Sequence, residues 1–203
     1  MCNENAMTKK EEQSKQTREK ILNAAAACFA ENGYSGCSVQ DIVERAGMSK
    51  GALYVHFKNK AELFKEMIAM EHGLGIERAR KAAERPPYLA AVIRYQTECI
   101  RNSGFPMDHR LWAEVLAVAA REPEMREAFI ASERAARQFF VELLRKAAEA
   151  GEIDNSLDLN AVSIWLYALG DGMIVRIADD PAFDFQKHTA VFETLVRRAL
   201  RPA

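Results

Sequence analysis

The sequence predicts an all-α protein: a small N-terminal three-helix unit followed by a larger C-terminal helical domain. Three observations carry the prediction. Apolar residues recur at i, i+3 and i+4 along most of the chain, the spacing of one helix face. The segments so marked open mainly on Ser, Asp, Asn or Pro and close at Gly or Pro, as helix caps and breakers do. No stretch alternates with the period of a strand, and no internal repeat is present.

Residues 1–14 are polar and mixed in charge, and read as a disordered arm. A first helix follows over about 15–31, with Ile21, Leu22, Ala25 and Phe29 as its buried stripe. Asn32-Gly33 ends it, and Tyr34 enters the link to the next element. Ser38 caps a short helix in which Asp41 stands at the capping-box position and Ile42, Val43 and Ala46 share a face. Gly47 makes the turn. Ser49 caps another short helix whose Leu53 and Phe57 point inward. Asn59 and Glu62 form a second capping box, and Leu63, Phe64, Met67 and Ile68 continue inward toward residue 83. Gly73 and Gly75 each weaken a helix interior by about 1 kcal/mol relative to Ala, so a kink or break is expected near Gly73.

Pro86-Pro87 marks a boundary. Helices are expected beyond it over about 88–102, 108–121, 124–150, 158–178 and 185–200. Their punctuation is Ser103-Gly104 with Pro106, the cap Asp108, Pro123, Gly151, the cap Asp158, and Asp179-Asp180-Pro181. The resulting organisation is an arm at 1–14, a three-helix unit at 15–60 and a helical domain at 61–203.

The pair of short helices over 38–57 has the form of a helix-turn-helix, whose second helix enters the DNA major groove. Between Arg45 and Lys60 there are four Lys or Arg residues and no acid. Lys50 suits a guanine edge or a phosphate, and Ala52 and Val55 suit a thymine methyl. Ser38, Gln40, Ser49, Gly51, Tyr54, His56, Lys58 and Lys60 complete the expected DNA-contacting set, mostly on phosphates.

Residues 16–68 resemble the N-terminal domain of TetR-family transcriptional regulators. The resemblance is carried by TREKILNAAAACFAENGY, by SKGALYVHF and by KNKAELFKEMI. It implies a dimer on a near-palindromic double-stranded operator, usually repressing, and released by a small molecule held in the C-terminal domain. It also implies that some aromatic residues of that domain line a pocket between helices. Tyr95, Trp112, Val115, Leu116, Phe129, Trp165, Leu169 and Met173 are the expected wall of a small, mainly apolar effector site. Arg94, Glu114 and Asp171 join Tyr95 as polar groups that would orient the ligand.

The last two segments are apolar over more than one stripe, which calls for burial on two sides. One side faces the domain and the other a second copy of the chain, with Ile174, Val175, Phe192, Leu195 and Val196 at the interface.

Composition sets limits on rival readings. The net charge of -1 gives no overall bias toward nucleic acid, but the first sixty residues carry nine Lys/Arg against seven Asp/Glu. The four cysteines form no CxxC pair and match no zinc spacing, so reduced thiols are expected and no cofactor or metal. No GxSxG, HExxH, P-loop or dinucleotide fingerprint points to an enzyme. The N-terminus lacks an apolar leader core, and Asp171 and Arg176 interrupt the apolar run 164–178, which is too short to span a bilayer. A cytoplasmic protein without membrane contact is therefore expected. The remaining alternatives are a helical protein-interaction module and an activator without an effector.

Overall fold

The structure is a computed structural model that describes residues 9–101, 107–180 and 182–202. The described residues form helices and connecting turns, with no strand among them. In chain order the helices are α1 (Lys9–Gly36), α2 (Val39–Ala46), α3 (Lys50–His56), α4 (Lys60–Ala82), α5 (Tyr88–Arg101), α6 (His109–Arg121), α7 (Pro123–Glu149), α8 (Leu159–Asp179) and α9 (Phe185–Leu200).

The predicted caps form. Ser38, Ser49, Asn59, Asp108 and Asp158 each accept a backbone N–H in the first turn of their helix. Ser38 and Asp41 close a reciprocal box, and Gly47 ends α2 in the left-handed conformation. Gly33 also takes a left-handed φ of 71° and separates the long helix from a last turn.

Several expectations are corrected. Helix α1 begins at Lys9, so residues 9–14 are helical, while residues 1–8 of the expected arm lie outside the described residues. The break at 103–106 also lies outside them. Helix α4 runs without interruption through Gly73 and Gly75. Gly75 is there for space, because a Cβ would lie 3.3 Å from the Tyr95 hydroxyl. Cys28 and Cys37 are joined in a disulfide, because α1 and the turn before α2 bring their Cα atoms to 5.9 Å, a proximity that no spacing motif announces. Helix α8, at 21 residues, is long and apolar enough to cross a membrane by length and composition. It nonetheless carries Asp171 and packs against α5, α6 and α7.

Two cores hold the helices. The first fills the three-helix head with Ile21, Phe29, Ile42, Leu53, Phe57 and Phe64, and continues into Leu111, Trp112 and Val115 of α6. The second lies farther along, among Val92, Tyr95, Phe140, Leu144, Leu166 and Val196. Helix α4 belongs to both: its first half packs in the head core, and Ala79 and Ala82 enter the other. It is thus the beam that joins head to body, and α7 lies along it.

Candidate nucleic-acid interface and effector cavity

Helix α3 is seven residues long and is pinned at both ends. Ser49 accepts from Ala52 N at 3.2 Å, and Phe57 N donates to Leu53 O at 2.9 Å. Leu53 and Phe57 are fully buried, which fixes the roll of the helix. Lys50, Gly51, Tyr54 and Val55 are left exposed, Val55 to 80%, with Ala52 and His56 at the edge. An aliphatic side chain that exposed on a rigid helix is a candidate contact for a base methyl.

The flanking residues are differently engaged. Ser38 is used by the α2 box, and Gln40 donates to Glu44 at 2.5 Å. Lys58 is exposed, and its backbone N–H is taken by Glu62. Lys60 departs from expectation. Its ammonium donates to Tyr34 O at 2.7 Å and Cys37 O at 2.9 Å, and sits 4.4 Å from the Tyr34 ring centroid. It locks the turn before α2 onto α4, so its charge is directed inward instead of at a phosphate. Burial pushes its pKa down from the ordinary lysine value.

Above the head, α4, α5, α6, α7 and α8 surround a cavity of about 80 Å³ that is partly open to solvent. Of the eight expected wall residues, Tyr95 and Trp112 line it. Val115 is buried in the first core and Leu116 packs against it. Phe129 stands behind the wall, packed on Trp112 and His72. Leu169 and Met173 pack on the second core. Trp165 is 43% exposed on the outer side of α8, because its position faces away from α5 and α6. Among the expected polar groups, Asp171 lines the cavity, Arg94 is exposed, and Glu114 is committed elsewhere.

Sequence reasoning missed most of the polar wall: Glu71, His72, Arg78, Gln96, Cys99 and Tyr167. One signal was present, since Glu71, Gly75 and Arg78 share a face of α4 at i, i+4 and i+7. Glu71 and Arg78 are 3.5 Å apart and form an ion pair, yet burial still pushes the Glu71 carboxyl up. His72 packs edge-on against Trp112, and burial lowers its pKa to about 4, so it is neutral at pH 7. Its Nδ1 lies 2.7 Å from Ser132 Oγ, which donates onward to main-chain carbonyls of α7. Asp171 accepts from Trp112 Nε1 at 2.9 Å, and its carboxyl is pushed up by burial despite that bond.

The cavity and the head share α6. Two residues after Trp112, Glu114 accepts from Tyr34 N at 2.6 Å, at the break in α1. The break needs glycine twice over: φ is positive, and a Cβ on Gly33 would lie 3.2 Å from Glu114 Oε1.

The expected dimer residues divide. Phe192 and Val196 are buried in the second core and Ile174 in the first, so those three are committed within the chain, and Val175 is half-buried. Leu195 is exposed, and the other large exposed apolar side chains of α8 and α9 are Ile164, Trp165 and Val191. The helical period had marked both stripes of each helix as apolar without saying which one meets the chain's own core.

A helix-turn-helix head joined by one long helix to a helical body with an internal cavity defines a DNA-binding transcription regulator. The sequence profile described as "Bacterial regulatory proteins, tetR family" matches residues 21–67, and that of the "BetI-type transcriptional repressor, C-terminal" domain matches residues 104–201. The chain belongs to the TetR family, whose members are transcription regulators and not enzymes. It is 28% identical to the HTH-type transcriptional repressor AcnR of Corynebacterium diphtheriae, over 79% of this chain and 80% of that one. It is 27% identical to the HTH-type transcriptional regulator UidR of Escherichia coli K12, over 82% and 84%. In fold it is similar to the fatty acid degradation regulator FadR of Bacillus halodurans, with a TM-score of 0.81 at 20% identity, covering 91% and 96% of the chains.

Proposed function

We propose that this regulator is a repressor that binds a near-palindromic operator as a two-fold dimer and is released by a small effector with a mainly apolar body. Residues up to about 60 act as the DNA-binding head, and the remainder as the effector-binding and dimerisation domain. Helix α3 enters the major groove, with Lys50 on a base edge or phosphate, Ala52 and Val55 on methyl groups, and Tyr54, His56 and Lys58 on phosphates. Ile164 and Trp165 on α8, with Val191 and Leu195 on α9, form the face covered by the second copy. A stable interface of this kind buries on the order of 1,200–2,000 Å².

One observation carries the ligand response. Helix α6 holds Trp112 on the cavity wall and Glu114 on the first residue after the break in α1. A ligand that displaces Trp112 moves the carboxylate that anchors the head. The reading requires a coupling of about 1–3 kcal/mol between the sites. It is tested by electrophoretic shift with DNA upstream of the gene, alongside sedimentation. Wild type should shift that DNA as a dimer, and Leu195→Glu with Val191→Glu should sediment as a folded monomer that shifts it poorly. A folded Lys50/Tyr54/His56 triple alanine variant that keeps full affinity would remove α3 from the interface.

A further inference from the structure

The cavity wall is rich in polar atoms, and they are unevenly satisfied. Gln96 on α5 is 3% exposed, and its side-chain amide has no hydrogen-bond partner among the described residues. A buried amide in that condition is costly and uncommon, so its partner is to be sought in the cavity it lines. Gly170 on α8 makes room for it, since a Cβ there would lie 3.2 Å from Gln96 Oε1. The next residue is Asp171. One of its oxygens accepts from Trp112 Nε1, and no Lys, Arg or His pairs with it among the described residues. Arg78, the cation on this wall, is already paired with Glu71. His72, neutral through burial, also lines the cavity.

The cavity therefore presents a carboxylate without a counter-charge among the described residues and an amide beside it, framed by Trp112, Tyr95 and Tyr167. The carboxylate accepts hydrogen bonds, and the amide offers a carbonyl acceptor beside its own N–H donors. Taking Glu71 with Arg78 as neutral, the wall keeps one negative charge at Asp171. We infer that the effector carries a protonated primary or secondary amine whose N–H groups donate to Asp171 and Gln96, with an apolar body against the aromatic wall. The inference rests on the effector reading above and makes it more specific. It favours an N–H-bearing ammonium over a quaternary one, because a quaternary nitrogen supplies charge but cannot satisfy the Gln96 carbonyl.

The test is calorimetric titration of the full-length protein with 2-phenylethylammonium, its N,N,N-trimethyl analogue, neutral propylbenzene and 3-phenylpropionate. The primary ammonium should bind at least about tenfold more tightly than each of the others. Asp171→Asn should weaken it by about ten- to a hundredfold. Gln96→Leu should also weaken it, while raising the melting temperature of the ligand-free protein, because the substitution removes an unsatisfied buried amide. A purely structural glutamine would give the opposite change in melting temperature. Equal binding of the quaternary analogue, tighter binding of the carboxylate, or no heat from the ammonium at about 10 mM would each overturn the assignment. Operator release is scored separately by gel shift. Ammonium binding at Asp171 without release leaves the site chemistry standing and defeats the effector reading. Release by a different ligand class that ignores Asp171 and Gln96 does the reverse.

Discussion

The head and the cavity treat their polar groups in opposite ways. In the head, the first turns of α2, α3 and α4 are each closed by a capping pair three residues apart: Ser38 with Asp41, Ser49 with Ala52 N, Asn59 with Glu62 N. Lys60, whose charge could have faced DNA, is instead bonded to two carbonyls that fix the turn. At the cavity, among the described residues, Gln96 is buried without a hydrogen-bond partner and Asp171 has a hydrogen bond but no counter-charge. The head behaves as a rigid tool whose geometry has to survive every change in the body. The cavity leaves polar atoms unsatisfied among the described residues, which costs stability and is the condition the proposed ligand would relieve.

The strongest way to break this contrast is to empty the head core. Phe29 is fully buried and packs edge-on against Phe64. Phe29→Ala should cost about 3–5 kcal/mol in denaturant unfolding. A loss below about 1 kcal/mol would mean the head is softer than its packing implies.

The next effect is a pH dependence located at the cavity. His72 stays neutral in the folded protein down to about pH 4, whereas in the unfolded chain it takes up a proton near 6.5. The unfolded state therefore gains protons first as pH falls from 6.5 toward 4, and the native state loses up to roughly 3 kcal/mol over that window. Glu71 and Asp171, whose carboxyls burial pushes up, act in the opposite direction. The histidine's share is accordingly the difference between wild type and His72→Gln, followed by thermal unfolding across the window. Parallel curves for the two proteins would show that the ring is solvated.

Glu114→Ala sharpens the link between the regions. It leaves Tyr34 N without its partner and should cost about 1–3 kcal/mol of stability. It should also reduce the influence of a cavity ligand on operator affinity, read as a smaller ratio of dissociation constants with and without ligand. An unchanged ratio would place the coupling on another contact.

The smallest change is at a cap. Ser49→Ala should lower stability by about 1 kcal/mol and weaken operator binding with it, because α3 frays at the end that carries Lys50. Its sign is opposite to that expected for Gln96→Leu. If both substitutions destabilise, the contrast between a satisfied head and an unsatisfied cavity fails.

The sequence by itself determined the helices, their caps, the turn at Gly47 and the outward set on α3, because each depends on residues within about one helical turn of one another. It also marked Leu53 and Phe57 as the inward pair, since one short amphipathic helix has only one way to face a small core. Tertiary structure alone decided the rest. The helical period gave α8 and α9 more than one apolar side but could not say which side meets the chain's own core, so Phe192 and Val196 are buried while Val191 and Leu195 are exposed. Trp165 is outside and Gln96 inside for the same reason: hydrophobicity ranks residues for burial, whereas packing chooses the partners. Cys28 and Cys37 meet only when the chain folds back after α1, and Glu114 and Tyr34, like Gln96 beside Gly170 and Asp171, become neighbours only when separate helices dock. Short-range rules write the helix-turn-helix head in consecutive residues. The cavity is assembled from five helices, and no single stretch of sequence contains it.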